Sequence, residues 1–356
     1  MKNVKTFGTR SIKSFLAVAP KLSAKSPDSI TVIGYHRVVS DIKQAEENSI
    51  FGLVVSAETF REHCRILKEN YDVISLEDTS WFLQNNSNPS RPKAVITFDD
   101  GYLDNYEVAY PILREFDLPA TIFLPTSLIG TDEILAHDKA FWLSKVALER
   151  KLPLEKILAE TKLEKTVINS LTKAKDALTL SDAIVYLPSP ERDRIIDGLE
   201  KALEITQYPA EYQLMNWEMA REMEQNRISF GVHSATHPVL PLESDHTFET
   251  EIFESKQVLE RELKTEAVSF AYPNGKYNAR VLAQIVNAGY KIGVTTEKRV
   301  NKSGDDLLVL GRICLCEEST RGIFGKFSPA VARFRLGVRP SFKFWFIFHG
   351  QPAEQL

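Results

Sequence analysis

Short apolar runs alternate with helix-like stretches along most of this chain, and that alternation limits the folds open to it. Residues 30–35, 94–98, 120–124, 228–232, 268–271, 291–295 and 307–310 read as strands. Between them, Ser56 stands as an N-cap before Thr59, Phe60, His63 and Leu67 at helical spacing, and 105–116, 247–263 and 279–288 are helix-like. The runs are continuously apolar rather than alternating. Strands of that kind are buried on both faces, which predicts a parallel sheet covered outside by helices.

One segment breaks the rhythm. Residues 132–226 contain no clear strand but carry charged helix-formers such as Lys145, Glu149, Arg150, Lys151, Glu155 and Lys156, with spaced apolar residues between them. We read this as a helical insertion between two strands of one domain, packed near the end of the sheet where the strands finish. A separate folding unit is the alternative, although no flexible linker flanks it.

Composition removes several classes. With 43% hydrophobic and 26% charged residues over 356 positions, the chain has the makings of a large core and not of a disordered or fibrous protein. Lys plus Arg is 44 against 48 Asp plus Glu, a net charge of −4 that lacks the basic footprint of a nucleic-acid binder. An odd count of three cysteines fits a reducing compartment. The start is basic (Lys2, Lys5, Arg10, Lys13), but the apolar run at 15–20 is too short for a signal peptide, so a cytoplasmic protein is expected. The aromatic stretch 342–348 (Phe342 to Phe348, broken by Lys343) reads as a buried or interface segment, with a peripheral membrane or oligomer contact as its alternative roles.

Chemistry gathers where strands end. Thr97-Phe98-Asp99-Asp100-Gly101 sets two carboxylates directly after an apolar strand, the position where α/β active sites collect. Adjacent carboxylates repel, so one holding a cation while the other works as a base is one reading; a solvated turn is the other. His233-Ser234-Ala235-Thr236-His237-Pro238 follows another strand, and a helical turn there would bring both imidazoles to one side. Two imidazoles and a carboxylate leave a position open to water or substrate, as in catalytic zinc-type sites. Capping of a loop by the two histidines is the plainer alternative. Tyr272-Pro273-Asn274-Gly275 reads as a rigid turn at a pocket rim, and Gly34-Tyr35-His36-Arg37 places a histidine at the end of the first strand.

Taken in order, these motifs resemble the polysaccharide deacetylase family, the NodB-homology carbohydrate esterases, with a sub-branch similar to poly-N-acetylglucosamine deacetylases. The likeness continues through Asn105-Tyr106, Pro111-Ile112-Leu113 and Pro119-Ala120-Thr121-Ile122-Phe123, then through Glu251, Ser255, Lys256, Leu259-Glu260, Gly289-Tyr290 and Val294-Thr295-Thr296. It covers about 30–130 and 215–315. The resemblance implies a distorted (β/α) barrel with fewer than eight strands. Barrel residues would be 30–131 and 227–320, with the helical insertion at 132–226 and extensions at 1–29 and 321–356.

It also implies a metal-dependent hydrolase that removes an N-acetyl, or an O-acetyl, group from an amino sugar in a saccharide. Asp100, His233 and His237 match the metal ligands, with zinc first and cobalt, nickel or manganese as other ions. Asp99 matches the general base, and the backbone N–H near Tyr102 the oxyanion donor. Tyr272, Pro273 and Gly275 match the substrate rim. Two stretches depart from the family pattern. Phe270-Ala271-Tyr272-Pro273 lacks the arginine that orients the base, and Leu310-Gly311-Arg312-Ile313 lacks the histidine that serves as acid. We therefore expect His36 to supply the acid and Arg312 to pair with Asp99 or substrate. A lipid-linked sugar or small amide is the alternative substrate, and a non-catalytic carbohydrate-binding barrel the alternative class.

Overall fold

The computed structural model describes residues 29–85 and 91–338. Among the described residues, seven strands form the wall of a distorted barrel: β1 (Ser29–Tyr35), β2 (Lys93–Phe98), β3 (Ala120–Leu124), β4 (Ile228–Val232), β5 (Ser269–Ala271), β6 (Ile292–Val294) and β7 (Arg312–Cys314). All pair in parallel, in the order β7-β1-β2-β3-β4-β5-β6. One parallel bridge, Val294 with Leu310, closes the ring between β6 and the approach to β7. This is the barrel of fewer than eight strands that the sequence predicts. One strand is displaced from its expected place. Residues 307–310 were expected to be extended, but Leu307–Val309 is a 3-10 turn whose start is fixed by the Asp306 carboxylate accepting the Leu308 N–H. The wall strand follows it, at Arg312–Cys314.

The two-residue period of the strands sorts the core. Ile33, Tyr35, Ala94, Ile96, Phe98, Ile122, Leu124, Val232 and Phe270 share one buried cluster with helix residues such as Phe60, Leu67, Leu113, Met223, Leu259 and Ile285. The intervening positions Ile30, Val32, Val95, Phe123, Ala271 and Val294 share another, with Leu76, Phe82 and Leu83. The second set faces the barrel axis. Gly231 belongs to it: a Cβ there would stand 2.5 Å from Phe123, so the missing side chain makes room for that ring. Continuing the same parity along β2 and β4 points Thr97, Asp99 and His233 into the mouth of the barrel, and Arg312, paired with Val32 at the start of β7, shares that inward parity.

The segment 132–226 is helical, as expected, with α2 (Ala136–Glu149) leading a group that includes Leu154–Ala159, Lys165–Leu171, Ala177–Val185 and Ser189–Leu203. Its helices enclose a core of their own, including Leu143, Leu171, Ile184 and Leu199, which Val239 joins from the loop after β4. The last helix of the segment, Trp217–Glu224, instead buries Ala220 and Met223 against the barrel. The segment sits at the end of the barrel where the strands finish. Tyr212 donates to the Asn48 carbonyl, and Ser189 donates from its N–H and hydroxyl to Glu243 at 2.9 and 2.8 Å.

The chain after 320 does not extend freely at first. Helix Pro329–Arg335 packs back onto α1 (Ala57–Asn70), burying Ala332 and Leu336, and Arg333 pairs with Glu69 at 2.9 Å. The aromatic stretch 342–348 and residues 1–28 lie outside the described residues. No helix among the described residues is long and apolar enough to cross a membrane.

Candidate active site

The rim residues predicted from sequence converge at the mouth of the barrel. Asp99 directly follows β2 with its side chain inward, 2% exposed. Arg312, wholly buried, reaches it from β7 on the far side of β1: Nη1 and Nη2 donate to Oδ1 and Oδ2 at 2.7 and 2.6 Å. The guanidinium is itself aimed by the Thr295 carbonyl, which accepts from Nε at 2.9 Å, and by Thr97 Oγ1 at 3.2 Å. Gly34 on β1 lies beside this pair: a Cβ there would stand in ordinary contact with Arg312 Nη1, at 3.6 Å, and tightly against Cys314 Sγ, at 3.0 Å. A forked guanidinium matched to both carboxylate oxygens is the strongest form of such a pair. Burial alone would raise the Asp99 carboxyl, but Arg312, with His233 and His36 nearby, overrides it and holds the group well below the usual carboxylate range.

Asp100 turns the other way. Its backbone lies in the left-handed region at φ 75°, followed by Gly101 at 66°. Both carboxylate oxygens are buried without a hydrogen bond among the described residues. Oδ1 faces two imidazole nitrogens, His233 Nε2 and His237 Nε2, each at 3.5 Å. One ligand atom from each of Asp100, His233 and His237 lies within 4.8 Å of the others. His233 Nδ1 is bonded to the Ala271 carbonyl at 2.7 Å, which as acceptor fixes the proton on Nδ1 and leaves the Nε2 lone pair toward Asp100. Burial lowers both imidazoles, His237 the further, and raises Asp100, with Asp99 and Asp138 adding repulsion. Neutral imidazoles around a carboxylate that lacks any donor are what a divalent cation would satisfy. The residues therefore fit the ion that the sequence suggested.

The two histidines do not meet by a helical turn. Ser234 and His237 are both left-handed, at φ 63° each, in a loop. Glu251, buried, organises it: one oxygen accepts the Ala235 and Thr236 N–H groups at 2.9 and 3.0 Å, the other the Thr236 hydroxyl at 2.7 Å. Ser234 Oγ accepts the His237 N–H at 2.9 Å.

His36 stands beside the base and not across the site from it, with Nε2 3.8 Å from Asp99 Oδ2. It is adjacent because β1 and β2 are neighbours in register, Tyr35 opposite Phe98. Burial lowers its pKa to about 4 against the pull of Asp99. Asn105 fixes its backbone by donating to the His36 carbonyl at 2.7 Å. Tyr272, Pro273 and Gly275 form the rigid turn expected, but the Tyr272 hydroxyl donates to Leu308 O at 2.9 Å and its N–H to Val294 O at 3.2 Å. These groups are committed to the barrel wall. What this stretch gives the site is the Ala271 carbonyl that orients His233.

Tyr102 is fully buried, and its neighbours pair with the end of the helical segment: Met215 N–H donates to Gly101 O and Leu103 N–H to Gln213 O, both at 2.9 Å. In that antiparallel pattern the Tyr102 N–H points away from Leu214. One neighbour, a histidine of the helical segment, is given no role by the sequence. His137, near the start of α2, puts Nε2 3.9 Å from Asp100 Oδ2, and its ring meets that of His237 with centroids 5.0 Å apart. An adjacent His–Asp pair at the first turn of the first helix after β3 was the available signal.

A parallel barrel with a paired carboxylate and an Asp–His–His set at its strand ends, and an arginine reaching them from inside the wall, defines a carboxylate–imidazole centre of the hydrolytic barrel type. The polysaccharide deacetylase family model matches residues 86–175 and 186–293, more than half of the chain, and the chain belongs to that family. The match runs through much of the helical segment as well as the motif-bearing stretches. Among individual proteins, YxkH of Bacillus subtilis is 22% identical over 307 residues, covering 86% of this chain and 78% of its own. The poly-beta-1,6-N-acetyl-D-glucosamine N-deacetylase of Staphylococcus aureus is 24% identical over 247 residues, 64% of this chain and 80% of that one. The Streptococcus pyogenes deacetylase PplD, solved with acetate, superposes with a TM-score of 0.57 at 22% identity over 88% of this chain and 99% of that chain. IcaB from Ammonifex degensii does so at 0.54 and 16% identity, over 82% and 94%. These structural likenesses support the shared barrel.

Proposed function

We propose that this chain is a metal-dependent hydrolase that removes N-acetyl groups from amino sugars of a saccharide, with O-acetyl groups as the second substrate class. The observation that carries the reading is Asp99, clamped by Arg312, lying next in sequence to an Asp100–His233–His237 set in the mouth of a deacetylase-family barrel. Similarity to an N-deacetylase of poly-beta-1,6-N-acetyl-D-glucosamine favours that linkage as the first to assay.

The division of labour follows from the environments. Asp99 is held ionised and accepts the proton of the attacking water as its oxygen bonds the acyl carbon. A divalent cation held by Asp100, His233 and His237 would supply the polarisation of the acyl oxygen and the acidification of water that so weak a base requires. The Tyr102 N–H is the backbone donor assigned to the developing oxyanion. His36, with Nε2 3.8 Å from Asp99 Oδ2, passes to the nitrogen the proton that Asp99 takes from water, so that the C–N bond breaks to acetate and a free amine and both side chains return to their starting states.

Acetate release from a panel of acetylated saccharides, with β-1,6-linked N-acetylglucosamine oligomers first, tests the function. Release should stop on chelation and return with zinc. Release that persists in thoroughly stripped protein would remove the cation from the reaction. Elemental analysis of His237→Ala should find its zinc content at a small fraction of wild type; equal contents would take His237 out of the ligand set.

His36→Ala separates acid from brace. An amine leaves only when protonated, whereas an activated acetyl ester departs unaided. We expect a loss of roughly a hundredfold on the amide and little on the ester. Equal losses on both substrates would assign His36 to structure or binding.

A further inference from the structure

Two buried side chains at the rim have no part in the chemistry above. His137 and Asp138, 8% and 2% exposed, enter from the first turn of α2 and meet at one atom, the Tyr102 hydroxyl. That hydroxyl donates to Asp138 Oδ2 at 2.8 Å and contacts His137 Nε2 at 2.9 Å. Tyr102 follows Asp100 by two residues, so whatever holds Tyr102 holds the turn that aims Asp100.

The turn needs holding. Asp100 and Gly101 are consecutive left-handed residues, and for an aspartate that conformation persists only where the surroundings impose it. Among the described residues, the Asp100 carboxylate has no hydrogen bond of its own to orient it. The constraints converge on Tyr102 instead. Arg37 lies over its ring, 4.9 Å from the centroid, and is pinned in turn by Asp104 and Ser49 Oγ, each at 2.8 Å. Residues 213–215 grip the backbone on either side of it. His137 and Asp138 grip the hydroxyl. Two of these three holds come from the beginning and the end of the segment between β3 and β4.

We propose that His137 and Asp138, acting through the Tyr102 hydroxyl, position Asp100 for a divalent cation, which makes the helical segment a working part of the metal centre. The inference rests on Asp100, His233 and His237 being the ligands. The distances assign the roles. His137 Nε2 lies 2.9 Å from the phenol oxygen and 3.9 Å from Asp100 Oδ2, so its ring nitrogen is engaged by Tyr102, and His137 acts on Asp100 through that hydroxyl and not as a fourth ligand.

Zinc affinity of metal-stripped protein, measured at pH 8 by competition with a chelator, tests this without reference to turnover. His137→Ala and Tyr102→Phe should each bind zinc about 10–100-fold more weakly than wild type, the range for partners that orient a ligand from outside. His137→Gln should recover most of the loss, because its side-chain N–H can reach the same phenol oxygen but can supply neither an imidazole lone pair nor a mobile proton. Thermal unfolding of the stripped variants serves as the check on folding, and if His137→Ala fails to fold, Tyr102→Phe carries the test alone. Wild-type affinity in both His137→Ala and Tyr102→Phe overturns the proposal. So does a His137→Gln protein as weak as His137→Ala, which would make His137 a ligand. A wild-type chain that binds no zinc sinks the ligand set itself, whereas failure to release acetate leaves this measurement standing.

Discussion

Asp99→Asn should lower turnover roughly a thousandfold, within the range that a positioned general base contributes, and leave zinc content close to wild type. The asparagine oxygen can still accept from one Arg312 N–H, so the clamp survives in part, but no proton can be taken from water. Asp100→Asn should show the reverse order of effects, with zinc lost first and turnover lost because of it. The distinction rests on how differently the two adjacent carboxyls are surrounded. Asp99 accepts two guanidinium hydrogen bonds, while Asp100 accepts none from the described residues and faces imidazole nitrogens. Equal zinc loss in both variants would show that this division of roles is wrong.

Arg312→Met should be the most damaging single change to stability. It leaves a buried carboxylate without its partner, a class of change that costs about 3–5 kcal/mol. Chemical denaturation at pH 7 would measure it. The sign with pH follows from the direction of the Asp99 shift. Its folded pKa is depressed, so the pair contributes stability that is fully present above the ordinary aspartate value of about 4 and is lost as pH falls through the lower folded value. In Arg312→Met the leading influence left is burial, which raises the carboxyl. The variant's deficit should therefore shrink on acidification, and the acid limb of its pH–rate profile should move upward. A deficit that stays constant from pH 7 to pH 4 would argue that Arg312 acts by packing alone.

Much of the barrel was legible because buried parallel strands leave continuous apolar runs, and 120–124 and 228–232 coincide with β3 and β4. The run at 307–310 misled because apolar content alone does not separate a strand from a buried turn, and the Asp306 cap decided the matter. The carboxylates and the histidine pair were visible as motifs. Their convergence was not derivable from a helical period, since left-handed residues at Ser234 and His237 shape that loop. Arg312 was noticed because the stretch 270–273 lacked an arginine and the stretch 310–313 held one where a histidine is usual, and the parallel register of Val32 with Arg312 is what carries it to Asp99. His137 was set aside because it sits in a segment whose sequence reads only as helix. Its role depends on where α2 returns to the rim, which no local pattern encodes.

The Asp99–Arg312 pair joins positions 213 residues apart. At ordinary translation rates of 5–20 residues per second, the base would emerge roughly 10–40 s before the cation that makes its burial tolerable. Until β7 is made, the mouth of the barrel would have to remain open to water around Asp99, because a lone carboxylate resists desolvation. The nascent chain should therefore hold β1 to β6 as a loose, protease-sensitive intermediate, and the same contact that arms the site would act as the latch that completes folding.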